Sequence, residues 1–184
     1  TVISVRYWRE KIMKISLGCD EAAYQLKETI KQHLQEAGHE VIDNGVGEGE
    51  VELYPDVAVR TCKKVTDGTC DRGILVCGTG IGMAMTANKV PGIRAAVCHD
   101  PLSTERSILS NDANVMCMGA RVIAPQLALY LLDIWMGLTF KNGPSTPKVE
   151  RIMEYQKDGV VYDFIDNDEF FSWGNPYTNL IDDI

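Results

Sequence analysis

The chain has 184 residues, 45% hydrophobic and 24% charged, with a formal net charge of −8. That length suits one domain with a real core. The acidic balance argues against a nucleic-acid or anionic-membrane surface, because both need a basic patch.

The first twelve residues carry Arg6, Arg9, Glu10 and Lys11 and no apolar run, so they do not read as a secretory leader. They form an expected N-terminal extension ahead of a domain over 13–156. "MKISLGCD" (13–20) is a short alternating run ending in Gly-Cys-Asp, which predicts a strand. From Glu21 to Ala37, apolar Ala22, Leu26, Ile30 and Leu34 recur every four residues and Gly38 follows. That spacing predicts an amphipathic helix with a glycine stop. "HEVIDNG" (39–45) reads as a second strand. The glycine- and glutamate-rich stretch after it reads as a loop, with Pro55 opening a helix to about Val65. His33 and His39 flank a helix end and read as surface.

"GILVC" (73–77) predicts a third strand, and the glycines after it lead into a helix ending near Lys89. "GIRAAVC" (92–98) predicts a fourth strand, and Pro101 opens a helix to about Leu109. "ANVMCMG" (113–119) predicts a fifth strand, followed by helices over 123–136 and 148–156. The most apolar window, 122–138, contains Pro125, Gln126 and Asp133 and is too interrupted to span a bilayer. Strands alternating with helices across short connections predict an α/β fold. The form expected is a Rossmann-like three-layer αβα sandwich around a five-stranded parallel sheet. Such sheets bind ligands at the C-terminal ends of their strands. The segment 157–184 differs from the rest. It has one lysine against seven acids, so it carries −6 of the charge, and it holds six aromatics. An aromatic-rich tail of this kind is expected to dock on the body or on a neighbouring subunit.

Six cysteines stand at 19, 62, 70, 77, 98 and 117, without a C-x-x-C pair, and the three histidines are scattered. This spacing makes no zinc site and predicts reduced thiols and a cytoplasmic setting. One thiol stands apart. Cys77 ends a strand directly before Gly78, Gly80 and Gly82. Three readings are open. The glycines could serve only a tight turn. They could be a dinucleotide fingerprint, although its third glycine falls on Met83; Asp100, twenty residues past Gly80, stands where a ribose-binding acid belongs. Or the amides of residues 78–82 form an anion nest at a helix start, for a phosphate or an enediolate oxygen, with Cys77 as a proton carrier beside it.

"GCDEA", "YPDVA", "ILVCGTGIGMAMTANKVPGIRAAVC", "NDANVMCMGARVI" and "KVERI", in this order and spacing, closely resemble the ribose-5-phosphate isomerase B / galactose-6-phosphate isomerase family over residues 13–155. The resemblance implies aldose–ketose isomerisation of a sugar phosphate with no metal or organic cofactor. It also implies a homodimer or dimer of dimers with sites at subunit interfaces, and neither nucleic-acid nor membrane partners. By the same resemblance, Cys77 matches the base that moves a proton between C1 and C2. Gly78, Thr79, Gly80 and Gly82 match the nest, Asp20, Tyr54 and Asn111 match substrate-hydroxyl contacts, and Arg121 matches a phosphate arginine. Members that use a Glu after the loop have it where Met83 stands. Four positions depart from the pattern. Glu21 replaces a phosphate-binding His, as in the galactose-6-phosphate branch. Ser110 replaces a ring-opening His, which leaves His99 as the nearest candidate in sequence. Pro144 and Lys148 replace two phosphate arginines, and Lys148 keeps the charge without the bidentate fork. These departures raise two alternatives: a non-catalytic or partner-dependent sugar-phosphate-binding subunit, and an isomerase of an acyclic tetrose phosphate.

Overall fold

The computed structural model describes residues 12–156, so most of the N-terminal extension and the whole acidic tail lie outside the described residues. Five strands, β1 (Lys14–Cys19), β2 (Glu40–Asp43), β3 (Arg72–Cys77), β4 (Ala95–Val97) and β5 (Val115–Gly119), pair in the order β2-β1-β3-β5-β4, all parallel. The central strands β1, β3 and β5 are buried almost throughout, as parallel strands covered on both faces must be. The described residues also form six α-helices: α1 (Tyr24–Glu36), α2 (Tyr54–Thr66), α3 (Ile81–Ala87), α4 (Pro101–Leu109), α5 (Pro125–Gly137) and α6 (Thr146–Tyr155).

Topology decides which face each helix takes. Right-handed crossovers moving one way along the sheet put α1 and α4 on the same face, and those moving the other way put α2 and α3 opposite. Helix α5 packs between α1 and α4. Two apolar cores result. One holds Leu17, Ile30, Met116, Leu131 and Trp135, and the other holds Val57, Leu75, Met83, Ile93 and Cys117. Each fully buried aliphatic side chain contributes roughly 1.5–3 kcal/mol. Neighbouring β1 and β3 send their chains to opposite faces, which opens a crevice between their C-terminal ends.

The element sequence matches the expected alternation, and the differences have local causes. The helix expected from Glu21 starts instead with a 3-10 turn, Glu21–Ala23, because the Asp20 carboxylate accepts the Ala22 N–H at 3.1 Å and the Asp20 carbonyl takes the Ala23 N–H. The fourth strand is only three residues long. Gly92 turns with φ +88°, and the Arg94 N–H goes to the Asn114 side chain rather than to a strand. His39 is a correction. It is buried, not on the surface, because its ring folds over the start of β1 and Nδ1 accepts the Met13 N–H at 3.2 Å. His33 is half-buried and pairs with Asp133 on α5 at 2.6 Å. All six cysteines are free and buried. No helix among the described residues is long and apolar enough to cross a membrane.

The lower end of the sheet, where the strands begin, anchors α6. Arg94 bonds to the Asp112 carbonyl and carboxylate and reaches Met153 Sδ, while the Gln156 amide clips to the Gly92 N–H and the Ile93 carbonyl.

Candidate active site

The upper end of the sheet is built around Cys77. As the last residue of β3 it stands beside the end of β1 on one side and pairs in register with Gly119 of β5 on the other. It is 5% exposed, whereas Cys19, Cys62, Cys98 and Cys117 are fully buried. After it the chain must turn upward into α3 with no room for side chains. Gly80 adopts φ +77°, and a Cβ there would stand 3.0 Å from the Met118 main chain. From the other side, a Cβ on Gly119 would stand 2.7 Å from the Thr79 main chain. The two strand ends are also bonded together, Ala120 N–H to the Cys77 carbonyl at 2.8 Å and Arg121 N–H to the Gly78 carbonyl at 3.0 Å.

The loop forms a nest with one change from expectation. The Gly80 N–H does not face outward; it donates to Cys77 Sγ at 3.1 Å. The Ile81 N–H leans on Thr79 Oγ1 at 3.4 Å, which leaves the hydroxyl its own proton to donate. The amides of Gly78, Thr79 and Gly82 find no acceptor among the described residues. A donor pointed at the sulfur suits a charged acceptor, and the remaining amides suit an oxyanion.

Side chains rim this loop. Tyr54, at the start of α2, lays its ring over Gly82, where a Cβ would meet Cζ at 2.7 Å. The exposed Arg121 runs along Gly78, its Cδ and Nε about one ordinary contact from where a Cβ would stand, and it closes no ion pair with a described carboxylate. Asp20, at the end of β1, is 9% exposed. Burial raises its pKa, the neighbouring Glu21 carboxylate adds to the rise, and Arg121 is among the groups that oppose it. Glu21 itself is exposed. It lines a cavity of about 460 Å³ together with Gln25, Gly49, Glu50, Ala120 and Pro125. His99, just beyond β4, is half-buried, and its Nε2 accepts the Gly119 N–H at 2.9 Å. Burial lowers its pKa against the opposing pull of Asp100.

Asp20, Glu21, Tyr54, Cys77, Gly78, Thr79, Gly80, Gly82, His99 and Arg121 therefore gather at the upper end of one chain. Asn111 and Lys148 do not join them. Asn111 lies in the turn entering β5 at the lower end, its side chain donating to the Arg106 carbonyl at 3.1 Å. Lys148 is on α6, whose anchor is the start of β4. The sequence reading also missed two features. One is the close main-chain support given by Met118 and Gly119, signalled only by a glycine ending "VMCMG". The other is the cavity wall at residues 47–51, which read as plain loop. Among the described residues no three His, Cys, Asp or Glu side chains are grouped to hold a metal ion.

The chain is similar to known proteins over most of its described length. The family model described as Ribose/Galactose Isomerase matches residues 15–152. A ribose-5-P isomerase B of Listeria innocua is 51% identical over 142 residues, covering 77% of this chain and 96% of the relative. A D-erythrulose-4-phosphate isomerase of Pectobacterium atrosepticum is 48% identical over 146 residues, covering 79% and 96%. The solved structure of Clostridium thermocellum ribose-5-phosphate isomerase B superposes with a TM-score of 0.77 at 43% identity, covering 78% of this chain and 97% of that one.

Proposed function

This chain belongs to the ribose/galactose isomerase family, and on that premise we propose that it is an aldose–ketose isomerase of a sugar phosphate in which Cys77 moves the proton. The observation that carries this reading is the Gly80 N–H aimed at Cys77 Sγ beside unspent loop amides. A C–H next to a carbonyl is only weakly acidic, so its removal needs a base and a stabilised oxygen at once. Cys77 thiolate takes the proton from the carbon, and the electron pair moves into the carbonyl to give a cis-enediolate. The same sulfur returns the proton to the adjacent carbon while a hydroxyl proton shifts between the two oxygens, so the reaction has no net redox change. The amides of Gly78, Thr79 and Gly82 hold the enediolate oxygen, and the Thr79 hydroxyl donates at its edge. Asp20 and Tyr54 contact substrate hydroxyls, and Arg121 receives the phosphate.

One chain does not complete this set. Asn111 and Lys148 sit at the lower end of their own sheet, which supports a homodimer in which a second copy supplies them. Exposed Leu53, Ile81 and Met85, at 73%, 55% and 65%, form an apolar rim beside Tyr54 and the loop that a second copy would cover.

The first substrate class is the ribose-5-phosphate/ribulose-5-phosphate type. A second reading, a tetrose or tetrulose phosphate, is favoured by Ser110, since a substrate that cannot cyclise needs no ring-opening histidine. An NMR screen of tetrose, pentose and hexose phosphates, read by deuterium entry at C1 or C2, separates the two. Cys77→Ala is expected to lower turnover about 10²- to 10⁴-fold on the best substrate with the fold intact by circular dichroism. Wild-type turnover in that variant removes Cys77 from the mechanism. Silence across the whole panel, with thermal stabilisation by one sugar phosphate, returns the chain to a binding subunit.

A further inference from the structure

The ladder between β4 and β5 ends in an unusual way. Register runs Ala95↔Val115, Ala96↔Met116 and Val97↔Cys117, and the Cys98 N–H then donates to the Cys117 carbonyl at 2.9 Å. In a parallel ladder the next rung would carry the Gly119 N–H to the Cys98 carbonyl. Instead His99 Nε2 accepts that N–H at 2.9 Å.

Gly119 is where the support of the site converges. It is the register partner of Cys77, it stands against the Thr79 main chain, and the next two amides bond the Cys77 and Gly78 carbonyls. We infer that His99 is a positioning residue: its unprotonated Nε2 latches the tip of β5 through the Gly119 N–H, and the tip in turn fixes the glycine loop and Cys77.

The bond sets the tautomer. An N–H donor at Nε2 requires a lone pair there, so the ring is neutral with its proton on Nδ1. A doubly protonated ring would turn an N–H against an N–H, and the latch would open. The charged group that acts on the ring is Asp100, the residue that caps the start of α4. Asp100 acts on the ring directly and favours its protonation, but its own carboxylate is engaged by the Ser103 N–H at 2.8 Å. Burial acts the other way and prevails, so the acceptor form is held through neutral pH. This role differs from proton transfer to the sugar, and only its kinetic arm rests on the isomerase reading.

The test uses the full-length chain, His99→Phe and His99→Gln. Glutamine places a non-titrating oxygen near the position of Nε2. In the wild type at neutral pH, ring ¹⁵N shifts are expected to show an unprotonated Nε2 and a protonated Nδ1, with the Gly119 amide protected from exchange. Both signatures are expected to be lost together on acidification. In His99→Phe, Gly119 exchange should rise at least about tenfold and kcat should fall about ten- to a hundredfold with KM little changed, as for a misplaced catalytic group. His99→Gln should restore both to within about threefold. The inference is overturned by an Nε2–H tautomer, by an unprotected Gly119 in the wild type, or by His99→Gln that keeps Gly119 protected yet is as inactive as His99→Phe, which would make the imidazole proton the working part. If no variant and no wild type turns over any sugar phosphate, the isomerase reading falls, and the ring and amide signals still decide the latch.

Discussion

Gly119→Ala adds one methyl at the most crowded point of the site. A Cβ there would stand 2.7 Å from Thr79 Cα and carbonyl carbon and 2.8 Å from its oxygen. Ordinary contact begins at 3.4 Å, so one of the two main chains must retreat by about 0.7 Å. No rotamer can relieve this, because the three nearest atoms are all backbone. The retreat also pulls on the Ala120 and Arg121 N–H bonds to the Cys77 and Gly78 carbonyls. Overpacking of this kind costs about 1–3 kcal/mol of stability. A shift approaching 1 Å in groups that hold a transition state costs about a hundredfold in turnover. Urea unfolding reads the first quantity and a steady-state isomerase assay the second. Gly137→Ala, at the end of α5 with nothing within 4 Å, is the control and should change neither. A Gly119→Ala protein that is folded at the assay temperature and turns over within about twofold of wild type would refute the idea that the β5 tip positions the loop.

Two stability measurements probe the rest of the scaffold. Lys27 is buried, with Nζ bonded to Asp43 at 2.9 Å, Glu28 at 2.8 Å and the Val46 carbonyl at 3.1 Å, so Lys27→Met should lower the urea midpoint by the equivalent of about 3 kcal/mol; an unchanged midpoint would show that Lys31 alone holds Asp43. Burial depresses the pKa of His39 in the folded protein below its ordinary 6.5, so the unfolded chain binds the proton first, and the contribution of His39 is present above pH 6.5 and is lost as pH falls towards the folded value. His39→Asn, which keeps an acceptor near Nδ1 for the Met13 N–H, should flatten the acid side of the stability profile in urea melts, leaving the part that His99 contributes with the same sign; an unaltered slope would place the titration elsewhere.

The parallel sheet was legible because its signals are local. Apolar runs such as 74–76 and 115–118 can only be strands buried on both faces, and Pro55, Pro101 and Gly38 mark helix ends by their backbone chemistry. Boundaries shifted where a side chain outcompeted the main chain, as Asp20 does at Ala22 and Asn114 does at Arg94. Cys77 and its glycines were legible because bare backbone after a strand has few uses. The burial of His39 was not, since it depends on a contact with Met13, twenty-six residues away. Nor was the placement of Asn111 and Lys148 at the lower end, because the resemblance matched them by order along the chain and not by height along a strand. The bond from Gly119 to His99 links two residues twenty apart and leaves no periodic trace.

The loop after β3 presents the peptide N–H groups of Gly78, Thr79 and Gly82 without an acceptor among the described residues, and peptide chemistry is the same whichever residue bears it. Mutation at Thr79 or Ile81 can change a side chain but not the donor itself. Only a rerouted chain would do that, and the walls at Met118 and Gly119 leave no space for one. On the proposed reading, heritable variation in sugar preference would fall at the periphery, on Glu21, Tyr54, Arg121 and the strip 47–51, while the interior would stay indifferent to genetic drift.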